Sequence, residues 1–119
     1  MSVPVEQLAL AGQTAAAYAE KKWGGPTRLV PTQIITIAGS TRLLLNNPRR
    51  VFWLVFNPLA SNVYVDWGVV PSAAGSMLVS PVGGSISMAL DEDGEAVTYE
   101  LFGNSAVGGN VGVIEIIRK

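Results

Sequence analysis

Short apolar runs separated by turn residues make up the chain from Gln33 to its C-terminus. Gly, Pro, Asn and Asp interrupt these runs about every 8–12 residues, a spacing typical of all-β sandwiches and barrels. The runs are rich in β-branched and aromatic residues, which favour strands. About eight strands are expected, over residues 33–38, 41–45, 50–57, 63–67, 76–80, 85–90, 97–102 and 112–118. The pattern predicts an all-β fold, an antiparallel β-sandwich or jelly-roll-like domain, over residues 33–119.

Two of these runs predict different surroundings for their strands. Residues 50–57 (RVFWLVFN) are apolar at consecutive positions, which is typical of a central strand covered on both faces. In residues 63–67, Val63, Val65 and Trp67 alternate with Tyr64 and Asp66. Since neighbouring side chains of a strand point to opposite faces, this second strand is expected to be half-buried.

Residues 1–32 differ in composition and are expected to form an N-terminal arm. A helix is predicted over residues 4–22, because small or apolar residues recur there at steps of three and four: Val5, Leu8, Ala9, Gly12, Ala16, Ala19 and Trp23. Gly24-Gly25-Pro26 ends that helix and Pro31 opposes a restart, so residues 24–32 are interpreted as a linker. An isolated helix this short is marginal in water. The arm is therefore expected to dock on its own sandwich or on a neighbouring subunit.

The composition argues against catalysis. The chain has no cysteine and no histidine, so it lacks thiolate chemistry, the usual general base and the commonest metal ligand. Its three lysines are Lys21, Lys22 and Lys119, in the arm and at the terminus, where a Ser–Lys dyad would have to be fixed and desolvated. The two glycine pairs in the sandwich precede strands rather than helices, so they are interpreted as turns and not as phosphate-binding loops. No enzyme activity and no cofactor are expected.

The acidic segment of residues 91–95 (DEDGE) has two interpretations. Carboxylates on a bent loop with glycine can bind calcium, but the spacing differs from that of an EF-hand loop. The favoured interpretation is a solvated hairpin turn at Asp93-Gly94.

Charge is sparse and unevenly distributed. Charged residues make up 14% of the chain, hydrophobic residues 49%, and the net charge is −1. Residues 1–50 carry six basic against two acidic residues, a net of +4, and residues 51–119 carry two against seven, a net of −5. This asymmetry either supports head-to-tail pairing of copies or reflects unrelated surface loops. Lys21-Lys22 and Arg49-Arg50 are two isolated basic pairs without a basic stripe, so nucleic-acid binding is not expected.

Residues 49–117 resemble the small β-sandwich proteins of tailed-bacteriophage particles, including head decoration and head-fibre proteins. The matching features are Arg49-Arg50 before the apolar run to Asn57-Pro58, residues 61–65 (SNVYV), Gly68, residues 81–85 (PVGGS), residues 97–103 (VTYELFG) and the closing strand of residues 111–117. The resemblance implies a virion component that is present in many copies, is often trimeric, and binds the major capsid protein or another structural protein.

From these observations we expect a capsid decoration or cement protein that is assembled in the host cytoplasm and located in the virion. The N-terminus lacks the pattern of an export signal, and the apolar run from Val51 to Phe56 is too short to cross a bilayer. A neck, tail or fibre-base component is the first alternative, and a carbohydrate-binding module using Tyr64, Trp67 or Tyr99 is an alternative of another class. The candidate partner contacts are Val5, Leu8, Tyr18, Trp23, Arg49 and Arg50. Trp23 fits equally a partner's pocket or the chain's own core.

Overall fold

The computed structural model of the protein describes residues 25–67, 70–73 and 75–119. The strands in these residues are β1 (Thr27–Ile37), β2 (Thr41–Leu44), β3 (Arg50–Asn57), β4 (Val63–Asp66), β5 (Met77–Val79), β6 (Gly84–Ala89), β7 (Leu101–Asn104) and β8 (Gly109–Arg118). A one-turn helix, α1 (Leu90–Asp93), and a 3₁₀ helix (Gly94–Thr98) connect β6 to β7. The predicted helix over residues 4–22 lies outside the described residues.

The strands form two four-stranded antiparallel sheets that pack together. Sheet A has the order β1-β8-β3-β6, and sheet B has the order β2-β7-β4-β5. The predicted all-β antiparallel sandwich is confirmed. Strand β3 lies between β8 and β6, as its long apolar run indicated.

The core lies between the sheets and follows the two-residue period of their strands. On β3, Val51, Trp53 and Val55 are buried, and on β4, Val63 and Val65 are buried while the residues between them are only half-buried. Burying a side chain of this kind contributes about 1.5–3 kcal/mol. Both sheets supply most of the remaining core side chains, and the 3₁₀ helix adds Val97: Ile37, Leu43, Leu44, Val79, Val97, Leu101, Val111 and Val113.

The predicted linker over residues 24–32 is wrong from Thr27 onward, because β1 begins there and not at Gln33. Proline is tolerated at the edge of a sheet and at bulges, where its missing N–H is not needed. β1 is an edge strand, and its register against β8 shifts between Val30 and Gln33, the step that contains Pro31. The proline therefore bends the strand without ending it.

The predicted strand over residues 97–102 is wrong up to Glu100, and the predicted hairpin turn at Asp93-Gly94 is wrong. Residues 90–98 are helical, and β7 begins only at Leu101. The backbone N–H of Ala89 donates to Asp93 Oδ2 at 2.9 Å, and Thr98 Oγ1 donates to the carbonyl of Glu95 at 2.6 Å. These local bonds compete with strand pairing. The 3₁₀ helix also buries Val97 completely, so core packing favours this helix over a strand.

Gly84 is a position where a side chain cannot be accommodated. It pairs with Asn57 at the start of β6, and a Cβ atom added there would overlap the backbone carbonyl of Ser80. Gly84→Ala is expected to lower the free energy of unfolding by about 1–3 kcal/mol, because backbone and not a flexible side chain must move. Urea denaturation checks this. Gly75→Ala is the control, since nothing lies within 4 Å of the added atom; equal unfolding midpoints for the two variants would contradict the expectation.

Candidate functional site

Arg50 is held inside the sandwich by four hydrogen bonds. Its Nε donates to Glu115 Oε1 at 2.6 Å, and its Nη2 donates to the carbonyl of Leu45 at 2.6 Å. Nη1 donates to the carbonyls of Val97 and Tyr99, both at 3.3 Å. The side chain is 1% exposed. Arg50 thereby joins β3 to β8, to the segment after β2 and to the 3₁₀ helix.

The structure corrects the prediction that Arg50 contacts a partner, because its side chain lies in the interior and is only 1% exposed. Its neighbour Arg49 lies in the turn before β3 and is exposed, and its carbonyl accepts the N–H of Arg118 at 2.8 Å. The contact role of Arg49 stays a prediction. The other predicted contacts, Val5, Leu8, Tyr18 and Trp23, lie outside the described residues.

An open cavity of about 210 Å³ adjoins Arg50, and its lining also includes Gln33, Glu115 and residues 43–47. Because Arg50 already donates to Glu115 and to three backbone carbonyls, the guanidinium belongs to the framework of the sandwich. Among residues 25–67, 70–73 and 75–119, no group of three or more His, Cys, Asp or Glu residues is arranged to hold a metal ion. In that part of the chain no helix is long and apolar enough to cross a membrane.

The aromatic residues considered for sugar stacking do not share one exposed surface. Trp67 packs against the hydrophobic core, and its Nε1 is buried without a hydrogen-bond partner. Tyr64 is half-buried on β4, and its hydroxyl accepts a hydrogen bond from Asn62 at 3.2 Å. Tyr99 is 42% exposed, and a hydrogen bond to Glu95, together with the negative charge of that residue, raises its pKa above the ordinary value. The geometry does not favour a carbohydrate platform.

Three connections meet at one end of the sandwich, and we name residues 58–62, 80–83 and 105–108 the apical loops. The antiparallel strand order brings them together, because each follows a strand that runs toward this end. The N–H of Val82 donates to the carbonyl of Leu59 at 2.8 Å. The hydroxyls of Ser61 and Ser105 are 3.1 Å apart. The apical loops therefore form one connected surface.

Asn57, at the end of β3, fixes the apical loops from beneath. It is fully buried, and its Nδ2 donates to the carbonyls of Ser61 at 2.8 Å and of Val79 at 3.0 Å. Its Oδ1 accepts the N–H of Leu59 at 2.9 Å. One buried amide thus orders the first loop and ties it to β5.

Val82 has an unusual backbone conformation at the tip of the second apical loop. Its φ is 58°, and it is the one non-glycine residue with positive φ among the described residues. A β-branched residue in this region is strained, at a cost of about 1–3 kcal/mol. Its side chain is 80% exposed, as is that of Val107 in the third apical loop. The strain therefore places an apolar side chain in solvent and not in the core.

The outer face of sheet A carries a second apolar surface, which we name the outer strip. Strand alternation directs these side chains away from the core, and the pairing of β3 with β8 and of β8 with β1 sets them side by side: Ile34, Phe52, Leu54, Phe56, Ile114 and Ile116. Ile34 is 62% exposed, and the others are half-buried. The ring of Phe56 lies over Gly112, where an added Cβ would overlap it. At the opposite edge, β6 contributes only small side chains to this face, namely Ser85, Ser87 and Ala89.

The sequence predicts a turn at Gly83-Gly84 but not the strain beside it. Valine disfavours positive φ, so no sequence signal indicates the conformation of Val82. The outer strip had a signal in the apolar run of residues 50–57.

Comparison of the chain with protein-family models, with curated proteins and with solved structures gave no match.

Proposed function

We propose that this protein is a structural component of a tailed-phage particle, a capsid decoration protein that acts by contact and not by catalysis. The resemblance of residues 49–117 to phage head proteins supports the proposal that the particle is that of a tailed phage. The contact made by the sandwich lies at the apical loops. The protein forms homo-oligomers, with the trimer favoured, and copies on neighbouring capsid sites add avidity. The partner is the major capsid protein or another virion structural protein.

One observation supports this contact surface above all others, namely the exposed Val82 held at a φ of 58°. Strained backbone persists where the surroundings over-determine it, and such residues cluster at functional sites. Here the neighbouring bonds to Leu59 and Asn57 impose the turn, since Gly83 N also donates to the carbonyl of Asn57 at 2.7 Å. Val107, equally exposed, adds a second apolar tip to the same surface. Together they offer rigid apolar side chains to a partner at little conformational cost.

Val82→Gly tests this proposal because its effects on stability and on binding are expected to have opposite signs. Glycine adopts positive φ freely, so the variant is expected to be as stable as the parent or more stable by up to about 1 kcal/mol. Binding to capsids assembled without this protein is expected to weaken about tenfold or more, since burying a valine side chain contributes about 1.5–3 kcal/mol. Urea denaturation and capsid cosedimentation measure the two effects.

Val107→Ala is a second test of the apical loops, and Val70→Ala is its control. Both valines are exposed in loops, but Val70 follows β4 at the opposite end of that strand from the apical loops. Capsid binding is expected to weaken for Val107→Ala and to stay unchanged for Val70→Ala. Equal binding by the parent, Val82→Gly and Val107→Ala would overturn the assignment of the apical loops as the contact surface.

A further inference from the structure

The outer strip is an apolar sheet face, and no helix or strand among the described residues packs against it. Antiparallel sheets with one face in a core usually present polar side chains on the other face, and sheets that are apolar on both faces are covered on both. Phe52, Leu54 and Phe56 alternate with the buried Val51, Trp53 and Val55, so β3 is apolar on both faces. Within the described part of the chain, only one of these faces is packed against another sheet.

The shape of the outer strip fits a single helix. It runs over β1, β8 and β3 and stops at the serines of β6, so it spans two strand spacings, about 10 Å. One α-helix is about 10 Å across. The strip also carries large side chains, among them two phenylalanine rings, and a partner with small side chains can approach such a surface closely.

The segment with these properties is joined directly to the same sheet. Residues 1–24 precede β1, the edge strand of sheet A, and the predicted helical stripe of the arm is mostly alanine and glycine between Leu8 and Trp23. The chain is fixed at Pro26, whose carbonyl accepts the N–H of Lys119 at 2.9 Å beside the end of β8. Leu29, which is 63% exposed, pairs with Ile116 of the outer strip. It lies on the same face of the sheet, three residues after Pro26.

The connection permits the chain to reverse over the sheet. Gly24 and Gly25 follow one another, and Gly25 has a φ of 154°, a conformation that L side chains rarely adopt. Loops of this length commonly join a helix to the strand it covers. A short flexible tether also gives an effective concentration in the millimolar range, far above that of a second copy in solution.

We propose that residues 1–24 of the same molecule cover the outer strip, with the small residues of the arm against Phe52, Leu54 and Phe56. Trp23 then completes the chain's own hydrophobic surface instead of entering a partner's pocket. This inference is independent of the proposed function, because it concerns a different face of the sandwich. The arm acts as the third layer of the domain.

Trypsin cleavage tests this in the full chain. Lys21 and Lys22 are the only basic residues before Arg28, so a cut there releases the arm as a single fragment that mass spectrometry identifies. In the parent protein, cleavage is expected to be slow. Leu54→Glu places a charge in the outer strip and is expected to speed cleavage about tenfold or more, since proteolysis follows the population of the open form. Cleavage of the parent as fast as that of Leu54→Glu would overturn the inference.

Two matched controls separate docking from general destabilisation. Ser87→Glu puts the same charge on the same face, directly opposite Leu54 but outside the outer strip, and is expected to leave cleavage slow. In the arm, Ala16 belongs to the stripe and Ala17 does not, so Ala16→Glu is expected to speed cleavage and Ala17→Glu is not. If Leu54→Glu and Ser87→Glu speed cleavage equally, or if Ala16→Glu and Ala17→Glu do so, specific docking of the arm is overturned. Near-ultraviolet circular dichroism shows whether the sandwich itself stays folded.

A mixing experiment distinguishes the molecule's own arm from that of a second copy. Leu54→Glu has an intact arm and an altered strip, whereas Ala16→Glu has the reverse. When the two are unfolded and refolded together at about 1 µM, well below the effective concentration of a tethered segment, both arms are expected to stay susceptible to cleavage. Protection of the Leu54→Glu arm in the mixture would show exchange between copies and would overturn docking within one molecule.

Discussion

Replacing Arg50 with methionine is expected to lower the free energy of unfolding by about 3–5 kcal/mol, the usual effect of removing one partner of a buried ion pair. Methionine fills a similar volume but leaves Glu115 without its charged partner, and that carboxylate is only 14% exposed. The carbonyls of Leu45, Val97 and Tyr99 lose their donors at the same time. Chemical denaturation of parent and variant measures the difference directly.

Two further substitutions show what Arg50 contributes. Arg49→Met removes an exposed neighbour and is expected to change stability by no more than about 0.5 kcal/mol. Arg50→Lys keeps the charge but loses the planar fork that reaches several acceptors at once, so most of the destabilisation is expected to remain. A loss below about 1 kcal/mol for Arg50→Met would contradict the view that this side chain organises the interior.

Asn57→Ala is expected to lower the free energy of unfolding by about 2–4 kcal/mol, because each buried polar group left without a partner costs about 1–3 kcal/mol. The substitution removes the donor to the buried carbonyl of Val79 and the acceptor of the Leu59 N–H. It also releases the first apical loop from β5. Faster hydrogen exchange at the Leu59 amide is therefore expected together with the lower unfolding midpoint.

Asn62→Ala is the matched control for that substitution. Asn62 is exposed, and its one side-chain bond in the described structure is to the hydroxyl of Tyr64 at 3.2 Å. Surface changes of this kind usually alter stability by less than about 0.5 kcal/mol. If Asn57→Ala is no worse than Asn62→Ala, the apical loops do not depend on the buried amide.

The strands could be predicted where burial alone decides them. β3 and β4 lie where the apolar run and the alternation indicated, because their side-chain periods match the inner face of a sheet. The predictions failed where a tertiary contact outweighed the preference of the local sequence. Pro31 is accommodated in an edge-strand bulge, and the burial of Val97 favours a 3₁₀ helix in residues that alternate like a strand.

The candidate site was less accessible to sequence reasoning. Arg50 is a charged residue beside another arginine, and nothing local indicates that Glu115, distant in the sequence, neutralises it in the interior. Val82 has a side chain that disfavours the backbone conformation it adopts, so only the surrounding loops reveal it. The outer strip was visible as a run that is apolar on both faces. That β1 lies at the edge of the same sheet depends on its long-range pairing with β8, which the apolar run does not reveal.

We propose that this β-sandwich is a repeated component of a phage particle. The copy number of the protein in purified particles, produced from the genome that encodes this chain and measured by quantitative mass spectrometry, tests it most directly. A decoration protein is expected at hundreds of copies per particle, in fixed ratio to the major capsid protein. A count of a few to dozens would move the protein to the neck, tail or fibre base, and its absence from the particles would contradict the claim.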